Sequence, residues 1–122
     1  MITHVFQLVS SREVSYPCKG MTAFSADYFA REQIRLDLTL SAAQKLMDEN
    51  STLVMMLHYP PVINKTKFNQ FCPVMERYNV KYCVYGHLHG VNHSEAEIVE
   101  NNGIKYILSS CDMIDFSLRE IK

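Results

Sequence analysis

Two short apolar runs of this chain end in histidine. "LVMML" runs into His58, and "YCVY" runs through Gly86 into His87 and, one leucine later, His89. Loops at the carboxyl ends of strands in open α/β sheets converge while the sheet stays rigid, so ligands collect there. In extended chain, residues i and i+2 project to the same side about 6.5–7 Å apart, which sends His87 and His89 together and turns Leu88 away. Imidazole nitrogen binds divalent ions at about 2.0–2.1 Å, and paired ions lie roughly 3.5–4 Å apart. Two converging imidazoles therefore suit two ions better than one. A single histidine at a strand end is ordinarily a hydrogen-bonded surface or core residue. Two neutral imidazoles packed between glycines gain little unless a cation sits between them, and this marks His58, His87 and His89 as metal-ligand candidates. Gly86 and Gly90, lacking Cβ, would allow a sharp exit from the strand and a close backbone approach to a ligand. His4 and His93 have no such context.

The elements that must position these residues follow from periodicity. "ITHVFQLV", residues 2–9, alternates as a strand, and "SSREVSYPCKG" is punctuated as a loop. From Ser25 to Glu49 the spacing predicts a helix whose stripe is Phe29, Leu36, Leu40, Ala43 and Met47, with Gln33 its one polar member. Ser25 is the expected N-cap, and Asp27 suits the first turn. Thr52 to Leu57 is an apolar run between a polar "DEN" and a double proline, the pattern of a fully buried strand. Residues 67–78 predict a helix that starts late or bends at Pro73. "KYCVY" is the next buried strand. "EAEIVE" and "IKYILSS" flank "NNG", an Asn-Gly hairpin turn, and residues 114–121 alternate as one further strand. The sum is an α/β domain with a mixed β-sheet and covering helices.

The chain has 122 residues, 48% hydrophobic and 20% charged, enough apolar material for one core. A formal net charge of -1 without a basic block excludes an electrostatic case for nucleic acid or an acidic membrane. The sequence contains no stretch of membrane-spanning length and no secretory signal pattern at its start, so the expected location is cytoplasmic. Cys18, Cys72, Cys83 and Cys111 form no CxxC pair and are expected as reduced thiols, buried in the case of Cys83 and Cys111.

"LHYPP" followed by "YGHLHG" resembles the last two motifs of the calcineurin-like metallophosphoesterases, whose full signature runs DxH, GDxxD, GNH[DE], a single His and then GHxH. "FSADYFAREQIRLDLTLSAAQ" and "SCDMIDF" are similar to the small predicted phosphohydrolases of that superfamily. The resemblance implies a fold that is part of a four-layer sandwich of two mixed sheets with helices outside. It implies that His58 and His87 bind one divalent ion and His89 a second, completed by a bridging Asp and an Asn, the ions being Mn, Fe or Zn. The implied reaction is attack on the phosphorus of a phosphomonoester or phosphodiester by a hydroxide held between the ions. A histidine from GNH[DE] assists the leaving group.

DxH, GDxxD and GNH are absent from the chain. The expectation is therefore a single incomplete domain, residues 1–122, corresponding to the carboxy-terminal portion of such an enzyme, with catalysis impaired. Charge makes the same point. Two divalent ions bring +4 into a small volume, and three neutral imidazoles offset none of it. Asp112, Asp115 and Glu95 are candidate substitutes without the family spacing. Tyr59, Asn64 and Lys65 are within reach of a phosphate, on a loop stiffened by Pro60 and Pro61. A sheet face lacking its partner layer should either self-associate or take up a polypeptide carrying the missing half. Two other readings stay open. One is a non-catalytic remnant that acts as an oligomerising interaction module. The other is a mononuclear zinc hydrolase using all three histidines with water in the fourth position.

Overall fold

The computed structural model describes residues 4–8, 23–58, 60–64, 67–86, 98–109 and 121, with the backbone alone for 4–8, 23–28, 63 and 64. In chain order the elements are β1 (His4–Leu8), α1 (Ala23–Gln44), β2 (Leu53–Leu57), β3 (Val62–Asn64), β4 (Lys67–Phe68), α2 (Phe71–Arg77), β5 (Tyr82–Tyr85), β6 (Val99–Asn101) and β7 (Ile104–Leu108). A five-stranded sheet has the order β1-β2-β5-β7-β6, and β3 with β4 makes a separate two-stranded ribbon. β1, β2, β5 and β7 are parallel, and β6 runs antiparallel to β7 at the edge. The mixed α/β reading of the sequence holds. The strand expected at 114–121 and the loop expected from 10 to 20 lie outside the described residues, apart from Ile121.

Alternation divides the sheet into two unlike faces. Leu53, Met55, Leu57, Cys83, Tyr85, Ile104, Tyr106 and Leu108 share one core with the buried side of α1 and with Phe71, Cys72, Val74 and Met75 of α2. Both helices therefore cover the same face. They meet through Phe29 and Phe71, whose rings stack 5.0 Å apart. The opposite face carries Val54, Met56, Tyr82, Val84 and Ile107. Val54 and Ile107 are buried, Tyr82 and Val84 are half-buried, and Met56 is exposed. Of the fully buried strands expected from "LVMML" and "KYCVY", β2 is buried throughout except at Met56, and β5 is buried at Cys83 and Tyr85 and half-buried at Tyr82 and Val84.

α1 starts at Ala23, which puts Ser25 inside the helix and Asp27 beyond the first turn, so neither has its expected capping place. It stops at Gln44 and not at Glu49. The cause is Asp48, whose Oδ1 accepts the Asn50 N–H (2.9 Å) and the Ser51 hydroxyl (2.9 Å), giving the chain a local turn that competes with helix. Phe29, Leu36, Leu40 and Ala43 are buried as the stripe requires, and Met47 packs against the core from beyond the helix. Gln33 sits at the margin and donates to the Gln70 carbonyl (3.2 Å). The polar residue inside the stripe is Glu32, 1% exposed, whose Oε1 accepts from Arg35 at 3.1 Å.

The helix expected from residue 67 begins at Phe71, because Lys67 and Phe68 pair with the segment after the double proline as β4. Asn69 then opens α2: its N–H donates to the Pro61 carbonyl (2.8 Å) and its Oδ1 accepts the Phe71 N–H (2.9 Å). Pro73 is the third helical residue, where no intrahelical donor is needed, so it does not bend α2. Asn79, at φ 56°, ends the helix in the left-handed region while the Val80 N–H returns to the Met75 carbonyl (3.2 Å). The β6–β7 hairpin turns through Asn102 (φ 49°) and Gly103 (φ 83°), both positive as Asn-Gly predicts.

Cys72 and Cys83 are free and buried. Burial pushes the Cys72 thiol up to about 11, and burial pushes that of Cys83 well above the usual thiol range. The Tyr106 hydroxyl lies beside Cys72, fully buried, and burial, followed by that thiol, raises it above the usual tyrosine range. Cys18 and Cys111 lie outside the described residues.

Three outcomes follow. Leu40→Ala, at a fully buried position, costs about 2–5 kcal/mol in urea unfolding, whereas Leu38→Ala, 63% exposed, stays within about 0.5 kcal/mol. Raised thiol pKa values favour the neutral form in the folded state, so stability is flat below the ordinary thiol pKa of 9.0 and falls as pH climbs from there towards about 11. In a Cys18→Ser, Cys111→Ser background, Cys72 and Cys83 should react with a thiol reagent at pH 8 no faster than the chain unfolds. Fast labelling of the folded protein would contradict their burial.

Candidate functional site

The four parallel strands finish level with one another. Leu8 is in register with Leu57, Leu57 with Tyr85, and Tyr85 with Leu108. Beyond that line the pairing continues for one residue: the Gly86 N–H donates to the His58 carbonyl (3.2 Å), and the Ser109 N–H donates to the Tyr85 carbonyl (2.8 Å). The exits of β2, β5 and β7 are thus held side by side. A depression of ≈ 270 Å³ opens there, lined by Met56, Leu57, His58, Val84, Tyr85, Gly86 and Ser109.

His58 is exposed at the tip of β2 and lines this depression. It stands where strand periodicity sent it, on the first residue past the sheet. His87 and His89 lie outside the described residues, as do Tyr59, Lys65, Glu95, Asp112 and Asp115; Asn64 is described by its backbone in β3. His87 is nevertheless bonded to Gly86, and Gly86 is hydrogen-bonded to His58. Among the described residues no three His, Cys, Asp or Glu side chains gather in one place.

Of the two glycines bracketing the histidine pair, Gly86 is among the described residues. Its φ is not positive, and a Cβ built on it would meet the nearest atom, the His58 carbonyl oxygen, at 3.9 Å, an ordinary contact. Neither strand exit nor neighbour crowding among the described residues demands glycine here. Among the described strands the order advances from β1 to β7 without reversal, and the depression is lined by the last residues of β2 and β5 together with His58, Gly86 and Ser109 just beyond the strands.

A larger cleft, ≈ 580 Å³, lies at the other end of the sheet, between the start of β2 and the start of β5. Met47, Leu53, Lys81, Tyr82 and Ile121 are among its lining residues, and none of its lining residues is a His, Cys, Asp or Glu. Size favours that cleft, but chemistry favours the depression at the carboxyl ends, because a ligand is held by the groups that face it. Periodicity had no means of finding the amino-end cleft, since it depends on Met47 leaving the helix line after Asp48 redirects the chain.

The donor chemistry fits a divalent ion in part. An exposed imidazole at a strand tip is a competent ligand, yet neutral nitrogen donors alone leave the ion's charge uncompensated. No helix among the described residues is long and apolar enough to cross a membrane. No protein-family model, curated protein or solved structure matches the chain.

Proposed function

We propose that this chain contributes the imidazole half of a divalent-metal phosphoesterase centre, with His58, His87 and His89 as ligands for Mn, Fe or Zn. The observation that supports the reading is the hydrogen bond from Gly86 to His58, which ties the exit of β2 to the residue preceding the His87–Leu88–His89 segment. Bound ions supply charge neutralisation on phosphoryl oxygens and a water acidified towards neutrality. His58 lines the depression one residue beyond β2, whose backbone is paired on both sides. That pairing holds the main chain leading into His58 in place, which supports a preorganised site.

Charge sets the second half of the proposal. One ion can be held by the histidines with water, whereas two need carboxylate. The carboxylate comes from Asp112, Asp115 or Glu95, or from a second polypeptide seated on the sheet face that carries Met56 and Val84. The phosphate-ester substrate then binds above the strand tips, beside Tyr59, Asn64 and Lys65. Without the carboxylate half, turnover is low.

Chelator-treated protein reloaded with Mn, Fe or Zn tests the reading by metal analysis and by hydrolysis of p-nitrophenyl phosphate and bis(p-nitrophenyl) phosphate. Stoichiometric metal is expected. His58→Ala and His87→Ala should each weaken binding by more than the roughly 10–100-fold that follows loss of an outer-shell partner. Unequal losses in His87→Ala and His89→Ala indicate separate ions, while equal losses indicate a single zinc. Protein that binds no metal and turns over neither ester refutes the proposal and leaves the interaction-module reading.

A further inference from the structure

The outer side of α1, opposite the buried stripe, carries Ile34 and Leu38 at 60% and 63% exposure. These two belong to a longer line. Positions 27, 31, 34, 38, 41 and 45 are spaced four, three, four, three and four apart, the alternation of a coiled-coil seam, and they read Asp, Arg, Ile, Leu, Ser and Lys. The last of them, Lys45, is exposed in the turn that directly follows the helix. Phe29, Leu36, Leu40 and Ala43 face the sheet from the other side, and of the line Arg31, Ile34 and Leu38 are exposed while Ser41 is half-buried beside the Tyr78 hydroxyl.

We propose that this line is a self-association seam, along which α1 pairs antiparallel with α1 of a second copy of the chain. The line is self-complementary about its midpoint, which lies level with position 36. Reversing one copy sets Ile34 opposite Leu38 of the second copy, Arg31 opposite Ser41, and position 27, an Asp, opposite position 45, a Lys. Each of these layers occurs twice by symmetry. Two apolar layers thus form the centre, a polar layer flanks them on each side, and opposite charges close both ends. A parallel pairing would instead set Asp against Asp, Arg against Arg and Lys against Lys, so charge selects the antiparallel arrangement.

The charges bordering the seam are already compensated within each copy. Arg35 is paired with Glu32 at 3.1 Å, while Asp37 accepts from the Tyr78 hydroxyl at 2.9 Å and from Arg77 at 3.5 Å. They therefore add little repulsion when two seams meet. Ala30 and Ala42, both exposed and four residues outside Ile34 and Leu38 respectively, leave room for the helices to approach. Two apolar layers make a small interface, so a concentration-dependent dimer is expected, with a Kd between roughly 1 µM and 1 mM.

Sedimentation equilibrium of the full chain over that concentration range is the test. The unaltered protein should shift from monomer to dimer. Leu38→Glu should remain monomeric with an unchanged far-ultraviolet spectrum, because the position is exposed. Met56→Glu, on the sheet face, should dimerise as the unaltered protein does. Lys45→Glu should weaken the dimer at least about tenfold at low salt, and adding Asp27→Lys should restore it. A monomer throughout the range overturns the proposal. So does a Leu38→Glu dimer of unaltered strength, which would place the contact elsewhere. A double charge swap that fails to restore association overturns the antiparallel register.

Discussion

Parallel pairing of β2 with both neighbours is the constraint from which the remaining organisation follows. A parallel neighbour cannot be reached by a tight turn, so each step from strand to strand needs a crossover long enough to return the chain to its starting edge. α1 makes the return between β1 and β2, and α2 makes it between β2 and β5. Since each step moves the same way across the sheet, both helices land on one face and must share its apolar surface. The stacking of Phe29 on Phe71 is where that sharing is visible. Level pairing also brings three strand exits together, giving the chain one end where side chains from distant parts of the sequence meet.

The two faces carry different obligations. On the helix face burial is complete enough that two thiols and a tyrosine hydroxyl are held in their neutral forms, and Glu32 is admitted only with Arg35 at its side. On the other face the sheet is sealed at Val54 and Ile107 and open at Met56. In the proposed reading, metal chemistry at the strand tips needs negative charge that imidazoles do not bring, and a partner seated beside the exposed Met56 would lie next to those tips.

What could be read from the sequence was decided by how local the determining interactions are. The apolar run ending at His58, the Asn-Gly turn and the stripe from Phe29 to Ala43 depend on residues next to one another or one helical turn apart, and each was legible. Capping was not. Ser25 has the right side chain for an N-cap, but the helix starts two residues before it, and Glu49 continues a helical pattern that Asp48 has already interrupted through its own side chain. Lys67 and Phe68 look helical from their context and become a strand only because the loop after Pro61 folds back on them. Glu32 was passed over because a carboxylate on a buried stripe is admitted by a specific neighbour, Arg35, and periodicity does not see neighbours. Of the three histidines, the described structure speaks to the placement of His58 alone, so the convergence of the other two rests on their covalent link to Gly86.

The two borders of the sheet are unlike. On one side it closes with β6, three residues long and tied back to β7 by its own turn, with Asn102 donating to Glu76 of α2 at 2.9 Å. On the other side β1 offers a five-residue row of backbone groups that no described strand takes up. A sixth strand of any origin would find its longest template along β1, in line with β2 and on the flank away from the hairpin, which gives the sheet a preferred direction of growth.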